Sequence, residues 1–109
     1  MSDEDSDIKT GKIISVKELG VTVQAVNSKI KKQYDIDYGV LVSEVEIMSS
    51  AQERGLRKGD IVTDVGDQKI SSPEQFEKTV KKLKPGDAVM FRVKGEDKRM
   101  RFVPIEIPQ

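Results

Sequence analysis

Ala51-Gln52-Glu53-Arg54-Gly55-Leu56-Arg57-Lys58-Gly59-Asp60-Ile61-Val62 is the stretch that decides how this chain folds. Ser49 or Ser50 just ahead of it can cap a helix of one or two turns, because a short side-chain oxygen accepts from the free amides of a first turn. Gly55 supplies a left-handed stop. Leu56 to Asp60 then turns the chain into a strand, Ile61-Val62-Thr63-Asp64-Val65. Upstream, Gly39 to Glu46 (GVLVSEVE) is β-branched and nearly free of breakers, a second strand. Downstream, Gly66-Asp67-Gln68 makes a tight reversal before the two-residue strand Lys69-Ile70.

Further out, the same alternation of short strands and short helices continues. Ser72 caps the best helix in the chain, Pro73 suits its first position and Glu74 suits the positive end of its dipole. Phe76, Val80 and Leu83 fall on one apolar stripe at i, i+4 and i+7, and Lys84-Pro85-Gly86 ends the helix. Asp87 to Lys94 alternates through Val89, Phe91 and Val93. Gly95-Glu96-Asp97 turns, and Lys98 to Ile107 closes the chain, with Pro104 restricting this strand to an edge or a bulge. Towards the N-terminus, Ile13, Ile14 and Val16 form a brief apolar lead-in to Glu18–Val26, a strand in which Leu19, Val21 and Val23 alternate. Ser28 to Tyr34 is a short helix capped by Asn27 or Ser28. The sum is an α+β domain over residues 11–109: a small curved sheet or partial barrel of five to six strands, with one main helix and one or two minor ones. Residues 1–10 (MSDEDSDIKT) are acidic and lack apolar periodicity, and are expected to be a disordered leader or an artificial remnant.

Composition narrows the chemistry. The 109 residues carry 19 Lys plus Arg against 19 Asp plus Glu, so the net charge is zero and general nucleic-acid binding is disfavoured. Lys78, Lys81, Lys82 and Lys84 make a basic helical face without interleaved aromatics, which reads as a solvated surface. There is no Cys and no His, which removes thiolate nucleophiles, Cys/His zinc sites and any hydrolase centre that needs imidazole to deprotonate a serine. Asp60, Asp64 and Asp67 lack the spacing of a calcium loop. No metal or cofactor is expected, and no apolar run is long enough for membrane insertion. Met90 and Met100 read as core filler.

Three segments, in order, resemble a PDZ domain of the bacterial, circularly permuted kind. Ala51–Val62 is similar to that family's A-x-x-A-G-L-x-x-G-D-x-I stretch, with Arg54 where a second alanine is usual. Ser72–Phe76 through Leu83–Asp87 resembles the helix lining the peptide groove and its exit. Glu18-Leu19-Gly20-Val21 resembles the carboxylate-binding loop. Gly11-Lys12-Ile13-Ile14, Leu19–Gln24 and Tyr38–Val42 look closest to PDZ domains of HtrA/Deg-type serine proteases, the short opening loop favouring a second, C-terminal copy. The resemblance implies a non-catalytic peptide-binding module that recognises C-termini of unfolded or substrate proteins for a protease elsewhere in its chain. It also implies a periplasmic or envelope location, which the residues themselves leave open. No Gly-Asn-Ser-Gly-Gly nucleophile motif is present. The alternative is a structural module, its groove occluded, that contacts sibling protease or PDZ domains.

On this reading the ligand pairs as an added strand with Val21, Thr22, Val23 and Gln24, opposite the helix. Its carboxylate sits among the backbone amides of Leu19, Gly20 and Val21, beside Glu18. Gly20 permits positive φ and close approach of the ligand. Leu19, Val21, Phe76 and Val80 line the last pocket, with Leu83 beyond them. Phe76 and Leu83 are chiefly core and Val80 faces both ways. Glu77 is a departure from an apolar lining that would favour a basic or polar ligand residue or weaken binding. Lys12 or Lys17 is placed to assist the carboxylate, although a solvated role suits each better. The reading requires the amides of Leu19 and Gly20 to face an open slot. A slot filled by the domain itself, or a strand paired on both flanks, leaves only a spacer role.

Overall fold

The structure, a computed structural model, describes residues 13–107, so the acidic segment 1–10 lies outside the described residues. Among the described residues, seven strands and three helices follow one another in short steps: β1 (Ile13–Val16), β2 (Val21–Ala25), α1 (Ser28–Tyr34), β3 (Val40–Val45), α2 (Ser50–Glu53), β4 (Ile61–Val65), β5 (Gln68–Lys69), α3 (Pro73–Lys81), β6 (Ala88–Lys94) and β7 (Met100–Glu106). The sheet runs β1-β2-β3-β4-β6-β7 with every neighbour antiparallel, and β5 adds to β4 off that path. This is the α+β architecture the alternation implies, with seven strands where five to six were expected.

Each helix starts where a side-chain oxygen can satisfy its first turn. Asn27 Oδ1 accepts from the Ile30 amide at 2.9 Å, Ser49 Oγ from Gln52 at 3.1 Å and Ser72 Oγ from Gln75 at 3.1 Å. Gly55, at φ +98°, ends the α2 turn in the left-handed conformation. The apolar stripe of α3 buries Phe76 and Val80, and Phe76 meets Phe91 of β6 edge to face at 5.8 Å between ring centres. Pro104 lies on β7, which pairs with β6 alone, so its missing donor falls at a sheet edge as expected.

Three expectations need correction. The lead-in Ile13–Val16 is itself a strand, paired with β2 from Ile13 opposite Gln24 to Val16 opposite Val21. That pairing means β2 is no free edge: β1 flanks it on one side and β3 on the other. The reason is local, because a four-residue turn, Lys17–Gly20, folds the preceding segment back onto β2. Met90 and Met100 are surface residues, 47% and 42% exposed, not core filler. Period two along β6 puts Val89, Phe91 and Val93 on the inner face and therefore Met90 on the outer one.

Candidate functional site

The site lies where α3 packs along β1 and β2. Of the three loop amides singled out, those of Leu19 and Gly20 are engaged by the chain itself. The N–H groups of Leu19 and Gly20 donate to the carbonyl oxygen of Val16 at 3.2 and 3.0 Å. Val16 thus stands where the last residue of an added strand would stand, with its carbonyl in the amide pair and its side chain in the apolar pocket. It is 1% exposed and belongs to one contiguous cluster with Leu19, Val21, Phe76 and Val80, against which Ile14 and Leu83 pack at the margin. Two residues before Val16, Ile14 is half-buried, while Ile13 and Ser15 face outward. The open slot required by the sequence reading is filled by residues 13–16.

The other expected residues take distinct places. Val21 and Val23 are buried on the inner face of β2. Thr22 faces the opposite way and its hydroxyl lies 3.0 Å from that of Ser15. Its carbonyl accepts from Ser43 Oγ at 3.2 Å. Glu18 and Lys17 are exposed in the turn. Glu77 is half-buried and pairs with Lys81 one helical turn on, at 3.3 Å, so its charge is partly met within α3. Gly20 has φ +77°, the left-handed conformation that favours glycine. The close approach at this position comes from Ser49: a Cβ on residue 20 would lie 2.4 Å from that of Ser49. The packing of the loop on the start of α2 is therefore enough to require glycine at residue 20.

Sequence reasoning overlooked Ile14, Ser15 and Val16 as parts of the site. A signal was available: two apolar residues spaced by two, then a four-residue turn ending in glycine, then an apolar alternation, is a hairpin pattern. The three aspartates considered for a metal do not converge. Asp60 is held by Arg101 at 2.6 Å and by the Arg57 amide at 2.9 Å, and Asp64 faces Arg92 at 3.9 Å. Among the described residues no group of three or more His, Cys, Asp or Glu side chains is placed to hold a metal ion.

The site thus comprises an antiparallel sheet, a helix packed along its first two strands, and a pair of amides in the turn that joins those strands. The chain belongs to the PDZ domain family, whose pattern matches residues 14–103. It is 35% identical over 111 residues to a probable periplasmic serine endoprotease DegP-like protein of Pseudomonas fluorescens, covering 98% of this chain and 23% of the relative. A relative of the same description in Ectopseudomonas mendocina is 38% identical over 95 residues, covering 87% of this chain and 20% of that protein. The chain thus spans about a quarter or less of the curated relatives it matches. Two solved structures share the fold: the HtrA-type protease AlgW with a tripeptide (TM-score 0.74, 22% identity, 96% of this chain and 35% of that one) and the HtrA3 PDZ domain bound to a phage-derived ligand, FGRWV (TM-score 0.69, 18% identity, 87% and 84%).

Proposed function

We propose that this domain is a peptide-binding module that takes extended chain ends by strand addition between β2 and α3, and serves as the non-catalytic substrate-recognition or regulatory part of a larger HtrA/Deg-like serine protease. The PDZ family pattern over residues 14–103 carries the reading. Because Ile14-Ser15-Val16 fill the groove, with a carbonyl oxygen on the amides of Leu19 and Gly20, the open slot that capture needs is met only when β1 leaves it. A pocket that takes Val16 suits another aliphatic last residue, and burying one there contributes roughly 1.5–3 kcal/mol. Added main-chain bonds at about 1 kcal/mol each give affinities near micromolar after association entropy is met. The HtrA3 ligand also ends in valine. The partners on this reading are C-termini of unfolded or substrate proteins, and the naming of the relatives supports a periplasmic or envelope setting.

Titration of the isotope-labelled chain with a library of short peptides bearing free apolar C-termini tests this. Amide shifts are expected at residues 19–24 and 75–83 and are expected to vanish when the terminus is amidated. A library that shifts none of them defeats the reading.

A second reading is favoured by the pairing of β2 on both flanks. With the slot permanently filled, the domain is a spacer that contacts sibling protease or PDZ domains. It predicts binding to a sibling domain that persists under a large excess of free-acid peptide.

A further inference from the structure

We infer that β1 is a tethered competitor for its own groove, a displaceable strand that regulates access and displays the class of ligand the site takes: a free chain end with an aliphatic last residue, a small hydroxyl residue before it and an aliphatic residue before that. The inference rests on the peptide-binding reading and adds its regulation.

Three features of β1 support it. The first is mimicry. Val16 fills the last pocket, Ile14 packs at the cluster's margin, and Ser15 faces Thr22 across the strands at 3.0 Å. The second is incompleteness. Val16 brings one neutral carbonyl oxygen to two amide donors, whereas a terminal carboxylate brings two oxygens and a full charge, and charge-assisted hydrogen bonds are about twice as strong. Lys17, exposed in the same turn, is a cation that a carboxylate could recruit and that a carbonyl leaves in water. The third is light attachment. β1 has four paired residues, of which Val16 alone is fully buried and Ile13 is 67% exposed.

What compensates for weak contacts is the tether. A strand joined to its site by a four-residue turn competes at an effective concentration on the order of millimolar or above. A free peptide then binds with its intrinsic affinity reduced by the fraction of molecules whose groove is open.

The probe is the acetylated tetrapeptide Ile-Ile-Ser-Val, copying residues 13–16, as free acid and as amide, followed by amide shifts at residues 19–24 in the full chain. The double variant Ile14→Ser/Val16→Ser removes both anchors of β1, and is expected to bind the free acid at least about tenfold more tightly than the unaltered chain. The double variant Ser15→Cys/Thr22→Cys joins directly opposed residues in a chain that has no other cysteine. Its oxidised form is expected to bind at least about tenfold more weakly than its reduced form, with no core atom removed. If Ile14→Ser/Val16→Ser loses its dispersed spectrum, the oxidised and reduced forms decide. Equal binding by the unaltered chain and Ile14→Ser/Val16→Ser, or by the oxidised and reduced forms, overturns the competitor while leaving peptide binding intact. Failure of the probe to bind an emptied but folded groove also overturns it, and a peptide library that still found ligands would leave the broader reading standing.

Discussion

The two ends of the sheet are built differently. At one end β6 and β7 pair in register over seven residues, and β7 is then fastened from outside. Arg101 bonds Asp60 at 2.6 Å and the Gly55 carbonyl at 3.1 Å, and Ser50 Oγ donates to the Glu106 carbonyl at 2.7 Å. The Ile107 amide returns to Asp87 at 2.8 Å. At the other end β1 has four pairs, one hydroxyl contact, a tight turn and one fully buried side chain, Val16, with Ile14 packed beside it. Long pairing with long-range fasteners makes an edge that opens only when the domain unfolds. On the inference above, short pairing held by a local turn makes an edge that opens alone, since opening free energies follow the contacts each unit would lose.

The largest expected effect tests whether both ends share one core. Phe76→Ala removes the ring that touches Phe91, and is expected to lower unfolding free energy by about 3–5 kcal/mol in urea titrations. A loss below about 1 kcal/mol would mean that α3 is a groove wall detached from the core. Next, Arg101→Ala leaves the Asp60 carboxylate, 9% exposed, with the Arg57 amide as its remaining partner. The Arg101 side chain is 36% exposed, so solvent screens part of the pair. A loss of about 1–3 kcal/mol is expected, with hydrogen exchange accelerated in β6 and β7 and unchanged at Leu19 and Gly20. Acceleration at both ends would erase the contrast.

A smaller effect is expected at β1. Ser15→Ala deletes an exposed hydroxyl contact and is expected to cost less than about 1 kcal/mol of global stability, while exchange of the Leu19 and Gly20 amides speeds up. The smallest effect is a pH term. Burial, then the negative charges of Glu96 and Asp60, raise the phenol of Tyr34 above its ordinary value, and its hydroxyl donates to the Gly59 carbonyl at 2.6 Å. The folded state keeps this proton longer than the unfolded chain does. Its contribution is therefore whole below the unfolded pKa near 10 and is lost as pH rises through the folded value. Urea midpoints between about pH 8 and about pH 11 should fall more steeply for the unaltered chain than for Tyr34→Phe. Parallel curves would show that the phenol is equally acidic in both states.

Much of this was legible from residues alone. α3 announced itself through Ser72, Pro73 and the Phe76–Val80 spacing, because caps and stripes are local chemistry. β2 and β3 were legible through β-branched alternation. β1 was harder, since it is only four residues long with two of them facing solvent, and its signal lies in the turn that follows and not in the segment itself. The exposure of Met90 was implicit in the alternation of Val89, Phe91 and Val93, which places the intervening residues outside. Gly20 was identified as special, but the neighbour that makes it so, Ser49, lies far along the chain and no local pattern connects the two.

That neighbour has a practical consequence for anyone redesigning what the domain takes. Since Ser49 and a left-handed dihedral jointly dictate residue 20, a combinatorial library randomised at that codon would mostly sample broken scaffolds. Diversity is better spent at Thr22 and Glu77, which lie on β2 and α3, outside the turn that holds residue 20.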